Sequence, residues 1–310
     1  MEHNILNQLQ SPIVLQGNAL IAYRDPAVIA HEGKVYLYYT LVETEPTGEV
    51  FMYTAMSTST DWIHWSRAVR LTPRDRRLNY SSPGNIVRVQ DRWLICLQTY
   101  PRPDGQQYGN EDARIWIMDS TDLLHWSTPE LIRVKGPDIA VEQMGRMIDP
   151  YLVEDRDEQG KWWCFYKQDG VSCSYSHDMT QWTYAGRESA GENVCIVHNS
   201  EEYIMFHSPE NGIGVMRSPN LHEWTADPVL LTLGQADWPW ARGRITAGVV
   251  LDAREIRDVG CYVMFFHGTG PEDERTIFDT HACIGLAWSD DLLNWDWPEQ
   301  MKDGASYAHQ

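Results

Sequence analysis

One short pattern recurs five times along this chain: Ser, one or two residues, a polar residue, an apolar residue, two more residues, and Trp. It reads STSTDWIHW ending at Trp65, DSTDLLHW at Trp126, SHDMTQW at Trp182, SPNLHEW at Trp224 and SDDLLNW at Trp295. Successive copies end 61, 56, 42 and 71 residues apart. Each follows a short run of β-type residues: VFMYTAMS, ARIWIMDS, VSCSYS, GIGVMRS and ACIGLAWS. A Ser, Asp and Asn-rich turn leading into Trp fits a tight connection to an outer strand. Repetition at this period is the mark of a fold assembled from equal units, each too small to bury its own apolar face.

A second element lies between the tryptophans. Segments 25–40, 83–99, 149–167, 192–208 and 245–268 each hold a short strand, a turn with Gly, Asp or Asn, and an alternating strand rich in aromatic residues. Together with the strand before the Trp signature and one after it, every repeat contains four strands. Long helical periodicity is absent. Five units of four antiparallel strands describe an all-β, five-bladed β-propeller, whose closure hides the sheet edges. One such domain is expected over 1–310, although length alone favours two. PIVLQG (12–17) is placed as a strand that closes the ring with the last blade, and 301–310 as a polar tail.

Composition narrows the partners. The 44 acidic and 25 basic side chains leave a net charge of −19, which argues against a polyanion such as nucleic acid. An acidic surface suits a small neutral ligand instead. Fourteen Trp and 15 Tyr beside six Phe favour rings that pack and also hydrogen-bond. The six cysteines show no metal-ligand spacing, and Cys96, Cys164 and Cys261 lie in apolar runs, so buried free thiols are expected. No signal peptide and no membrane-length apolar run is visible, so the protein is expected to be soluble and cytoplasmic.

In a propeller the inner strands converge on the axis, so the residues opening each hairpin are the informative ones. In blade order they are Asp25, the Ser82–Asn85 stretch, Asp149, Glu192 and the Arg244–Thr246 stretch. Three of the five contain a carboxylate. Asp-Pro often starts a turn and nothing more, but Asp25-Pro and Asp149-Pro recur in matching places, with Glu192 in the next blade. Like charges gathered in one partly enclosed site raise one another's pKa, which keeps one acid protonated near neutral pH. Glycoside hydrolysis needs that equipment: an acid for the leaving oxygen and a carboxylate for water or the anomeric carbon.

The order YRDPAV, MIDPYL, GENVCIVHNSEEYIMFHS resembles glycoside hydrolase family 43 and its five-bladed relatives over nearly the whole chain. The resemblance implies inversion at the anomeric carbon. It implies that Asp25 is the general base activating water, that Asp149 orients the acid and raises its pKa, and that Glu192 is the general acid. Where the family usually has Glu-Gly-Pro, this chain reads Glu192-Asn193-Val194. Many members hold a central cation near a fifth-blade His; with Arg244-Ile245-Thr246 in that place no metal and no cofactor is expected here.

Further substrate-binding candidates are Trp238 and Trp240 as a platform for a sugar face, or else as packing on the rim. Arg244 would neutralise the carboxylates and bond a hydroxyl, with Arg242 competing for that role and Arg24 read as a salt-bridge partner. His207 and His267, in MFHS and FFHG, are placed at matching positions facing the funnel, and Asn85 opens the second blade. The expected activity is removal of a terminal pentose, arabinofuranosyl or xylosyl, from small neutral oligosaccharides. A retaining fructosidase and a non-catalytic sugar-binding propeller stand as alternatives.

Overall fold

A computed structural model describes residues 5–199 and 201–298. Five antiparallel sheets form a β-propeller. Blade one contains Ile21–His31, Lys34–Thr44, Val50–Ser59 and Val69–Arg70, from the axis outward. Blade two has a divided inner strand, Tyr80–Ser81 and Ile86–Val89, followed by Arg92–Thr99, Ile115–Ser120 and Glu130–Leu131. Blade three runs Ile148–Glu154, Trp162–Lys167, Val171–Ser176, Thr183–Glu188; blade four runs Glu192–His198, Tyr203–Ser208, Ile213–Ser218, Thr225–Leu231. Blade five has Arg244–Asp252, Tyr262–Thr269 and Cys283–Ser289, and takes its outermost strand, Ile13–Leu15, from the start of the chain. That segment falls inside the closing strand expected at 12–17. The polar tail expected at 301–310 lies outside the described residues.

The Trp signature is a turn whose hydrogen bonds are made within seven residues. In the first copy, Ser59 Oγ accepts the N–H groups of Asp61 and Trp62, at 3.2 and 2.9 Å. Asp61 Oδ1 then accepts those of Ile63 and His64, at 3.0 and 2.7 Å. The residue after the Asp takes φ of +66°, and its counterparts Leu123, Met179, Leu221 and Leu292 fall between +61° and +65°. Asn220 fills the Asp position in blade four and makes the same bonds. Side-chain acceptors in the turn offset the strain of the left-handed residue.

The Trp that ends each turn seals the seam to the preceding blade. Edge-to-face pairs join Trp65 to Phe265 at 6.1 Å, Trp126 to Tyr38 at 5.6 Å, Trp224 to Phe165 at 6.1 Å and Trp295 to Phe206 at 6.0 Å. Trp182 joins a cluster containing Cys96, which stands two residues before Gln98 as Tyr38 stands two before Thr40. These second-strand partners are fully buried. Every blade thus covers its neighbour's apolar face, and ring closure covers the last one. All six cysteines are buried free thiols.

Candidate active site

The inner strands are kinked at one shared station. Asp25, Ser82, Asp149, Asn193 and Ala247 all have positive φ, between 43° and 54°. In four blades this lies inside a register shift: Arg24 to Ala27, Ile148 to Tyr151, Glu192 to Cys195 and Thr246 to Val249. Non-glycine residues held there cost of order 1 kcal/mol or more each, so something must secure them. At four of the five the preceding blade does so. Ser82 N–H donates to Thr40 Oγ1 at 2.7 Å, Asp149 N–H to Gln98 Oε1 at 2.6 Å, Ala247 N–H to Ser208 Oγ at 2.8 Å and Asp25 N–H to His267 Nδ1 at 3.0 Å.

The acceptors are equivalent residues of the second strands. Thr40, Gln98, Ser208 and His267 pair across their own blades with Arg24, Ser81, Glu192 and Thr246, the residues just before the kinks. Two sequence-based placements change as a result. Glu192 stands one residue before the kink, level with Arg24 and Ile148, and Asn193 occupies the station of Asp25 and Asp149. His207 does not match His267 either; Ser208 does. Adjacent strand residues face opposite ways, so a one-residue offset sends a side chain to the other face of the sheet.

A cavity of about 310 Å³ opens over this end of the axis. Asp25, Asp149, Glu192, Arg244 and His267 all line it. Beneath them the axis narrows to a gap of about 20 Å³, room for one water. Asn85, His207, Trp238 and Trp240 are absent from the cavity wall. Asn85 ties blade two to blade three, donating to Leu152 O at 2.6 Å and accepting Leu152 N–H at 2.9 Å. His207 Nδ1 accepts the N–H of Gly191, beside Glu192, at 2.9 Å; burial and then Lys167 push its pKa down to about 4. Trp238 and Trp240 are buried and stack on each other at 5.2 Å and on Phe266 at 5.9 Å, so neither offers a face to a ligand.

The three carboxylates have different surroundings. Thr40 Oγ1 accepts from Ser82 N–H, which directs its own proton to Asp25 Oδ2 at 2.8 Å. Ser82 Oγ in turn donates to Asp149 Oδ1 at 2.6 Å, so one short chain of groups links the two aspartates. Asp149 is buried, and that burial, reinforced by the charges of Glu192 and Asp25, pushes its pKa up to about 7; the Ser82 hydroxyl and Arg146 oppose the rise. Glu192 is about a third exposed and receives Arg244 Nη2 on Oε1 at 2.8 Å.

Sequence reasoning missed Glu274, Thr40, Gln98 and the aromatic wall. Thr40 and Gln98 carried a readable signal, because aligned hairpins put one polar side chain at that register in every blade. Glu274 had none: it stands in PEDERT, a charged loop between the last two strands of blade five. That loop and the one after the second strand of blade two meet beside the cavity. Arg102 grips Asp279 with two bonds of 2.6 and 2.8 Å, and Tyr108 packs edge-on to Phe278 at 5.1 Å. Tyr100 and Arg275 complete this wall. No helix among the described residues is long and apolar enough to cross a membrane.

No family model matches the chain, and no curated protein matches it. Solved structures do. The catalytic domain of a family 62 α-L-arabinofuranosidase from Coprinopsis cinerea aligns over 87% of this chain and 91% of its own, with 14% identity and a TM-score of 0.62. A family 117 glycoside hydrolase from Zobellia galactanivorans aligns over 87% and 86%, with 14% identity and a TM-score of 0.62. A family 43 β-1,3-galactosidase, solved with galactodeoxynojirimycin, aligns over 88% and 93%, with 14% identity and a TM-score of 0.61. The chain has the five-bladed propeller fold that these glycoside hydrolases share.

Proposed function

We propose that the protein is a glycoside hydrolase that inverts at the anomeric carbon and releases a terminal sugar. The observation that carries this reading is the convergence of Asp25, Asp149 and Glu192 on one cavity, with Asp149 raised to a pKa of about 7. Asp25 is the base. Its Oδ2 accepts from Thr40, and Nδ1 of His267, 3.5 Å from Oδ1, is itself an acceptor and donates nothing to it, so Oδ1 can take a proton from water. Glu192 is the acid that protonates the leaving oxygen. Asp149 lines the same cavity, and the resemblance to family 43 gives it the part of orienting the acid.

The inverting course follows the resemblance of YRDPAV and MIDPYL to family 43. Action at a chain end is supported by the wall that Arg102, Asp279, Tyr108 and Phe278 build on one side, because a through-running polymer needs an open groove. A pentose, arabinofuranosyl or xylosyl, is the sugar the resemblance favours. The test is a panel of aryl glycosides with wild type, Glu192→Gln and Asp25→Asn. Turnover of a pentoside that falls by at least ~10³-fold in both variants supports the roles. NMR of the first-formed anomer reads the stereochemistry. Tight sugar binding with turnover of nothing on the panel would establish a binding propeller in its place.

A further inference from the structure

The proposed acid, Glu192, receives a guanidinium at 2.8 Å. That guanidinium has other partners. Arg244 is shared: Nη2 goes to Glu192 Oε1, Nη1 to Glu274 Oε2, and Nε donates to the Glu210 carbonyl at 2.7 Å. Glu274 is buried, and its other oxygen receives Arg24 Nη2 at 2.7 Å and faces His267 Nε2 at 3.5 Å. Because His267 Nδ1 accepts the N–H of Asp25, the ring proton sits on Nε2 and points to Glu274. Burial, and then the charge of Arg24, keep His267 neutral by lowering its pKa.

Resting on the hydrolase reading, we propose that Glu274 is a positioning residue for the acid half of the reaction. It takes one arm of the Arg244 guanidinium, so that the cation facing Glu192 is already paired with another carboxylate. The charged and titratable groups facing it come from three elements: Arg24 from the inner strand of blade one, Arg244 from that of blade five, and His267 from the second strand of blade five. Burial opposes charge on Glu274, but Arg24, the His267 hydrogen bond and Arg244 together hold its carboxyl well below the usual range, so it stays anionic through the working pH span. A buried carboxylate between two guanidiniums is costly to assemble and is worth keeping where it sets the state of a third group.

Glu274→Gln retains the shape and one acceptor oxygen but deletes the charge and turns the other oxygen into a donor, so the whole charge of Arg244 falls on Glu192. Glycosides with poor leaving groups are expected to slow by about 10²-fold, while 2,4-dinitrophenyl glycosides, which leave without a proton, change by less than about threefold. The alkaline limb of kcat/KM should move to lower pH by about one unit. Glu274→Asp, which keeps the charge, should restore that limb even if its rate is lower. In a Glu192→Gln background, Glu274→Gln should cost nothing further. Equal losses on both leaving groups, an unmoved limb, or additive losses in the double variant would assign Glu274 to structure alone and overturn the proposal, with the hydrolase reading intact. Turnover of no glycoside by the wild type would overturn the hydrolase reading and this proposal with it.

Discussion

Aspartate is used at both ends of this propeller, with opposite results. At the far end of the blades, in the Trp turns, Asp178 and Asp291 are pulled down to a pKa of about 2, chiefly by the backbone N–H groups of Gln181 and Asn294. Asp61 is held lower still by the backbone N–H of His64 and by that residue's side chain. At the cavity end, Asp149 is pushed up to about 7 by burial and by two other carboxylates. The turn gives its aspartate donors from the next three residues, so charge costs nothing there. The cavity gives its aspartate a single hydroxyl, from another blade, and places negative charge beside it. One end spends the residue on stability; the other holds it away from its preferred state, as sites that do chemistry commonly do.

Substitution at each end should separate the two uses, and the largest effect belongs to the cavity. Asp25→Asn is expected to lower kcat/KM by at least ~10³-fold with little change in thermal midpoint, whereas Asp122→Asn in a turn should leave kcat/KM alone. Similar losses from both would erase the contrast.

Asp149 sharpens the comparison in the currency of stability. Its folded pKa of about 7 exceeds the reference 3.8, so between these values the folded state binds more protons than the unfolded state. Stability therefore falls as pH rises from about 4 to 7, and the contribution of the protonated form is gone above that window. Asp149→Asn, which cannot ionise, should be more stable than wild type at pH 8 by on the order of 2 kcal/mol and no better at pH 4. Activity should drop in the same variant. Denaturant midpoints at the two pH values decide it, and a variant less stable at pH 8 would contradict the burial argument.

The smallest effects come from the turns. Asp61→Ala removes an acceptor from two N–H groups and should cost about 1 kcal/mol at pH 7. Asp61→Asn should cost almost nothing, because Asn220 does the same work in blade four. The sign is opposite to that at Asp149: a lowered pKa stabilises above about pH 4, and that stability disappears as pH falls through about 2 at Asp178 and Asp291. Thermal melts of Asp61→Ala at pH 7 and pH 2 measure the difference.

Much of the architecture could be read from the repeats because each signature turn is local: Ser, Asp and the left-handed residue lie within a few positions, and Trp follows at a constant interval. The closing strand at Ile13–Leu15 was legible for a similar reason, a short β-type run with no partner nearby in sequence. Asp25 and Asp149 stood out through their paired Asp-Pro. Glu192 was found, but not its station, because a kink that inserts residues into a strand is invisible in the side-chain pattern. Trp238 and Trp240 were open between platform and packing; they are stacked on Phe266, a strand residue 28 and 26 positions further along the chain.

The sequence by itself determined the number of blades, the turn chemistry, the seam tryptophans and two of the three carboxylate stations, since all of these are set by residues near one another in the chain. Tertiary structure alone decided the surroundings of each carboxylate. The pKa of Asp149 depends on Ser82, Glu192 and Asp25 from three other blades, and the balance at Glu192 on Arg244 and a glutamate 82 residues away. Burial and charge act through space, and ring closure brings together groups whose distance along the chain says nothing about their distance in the fold.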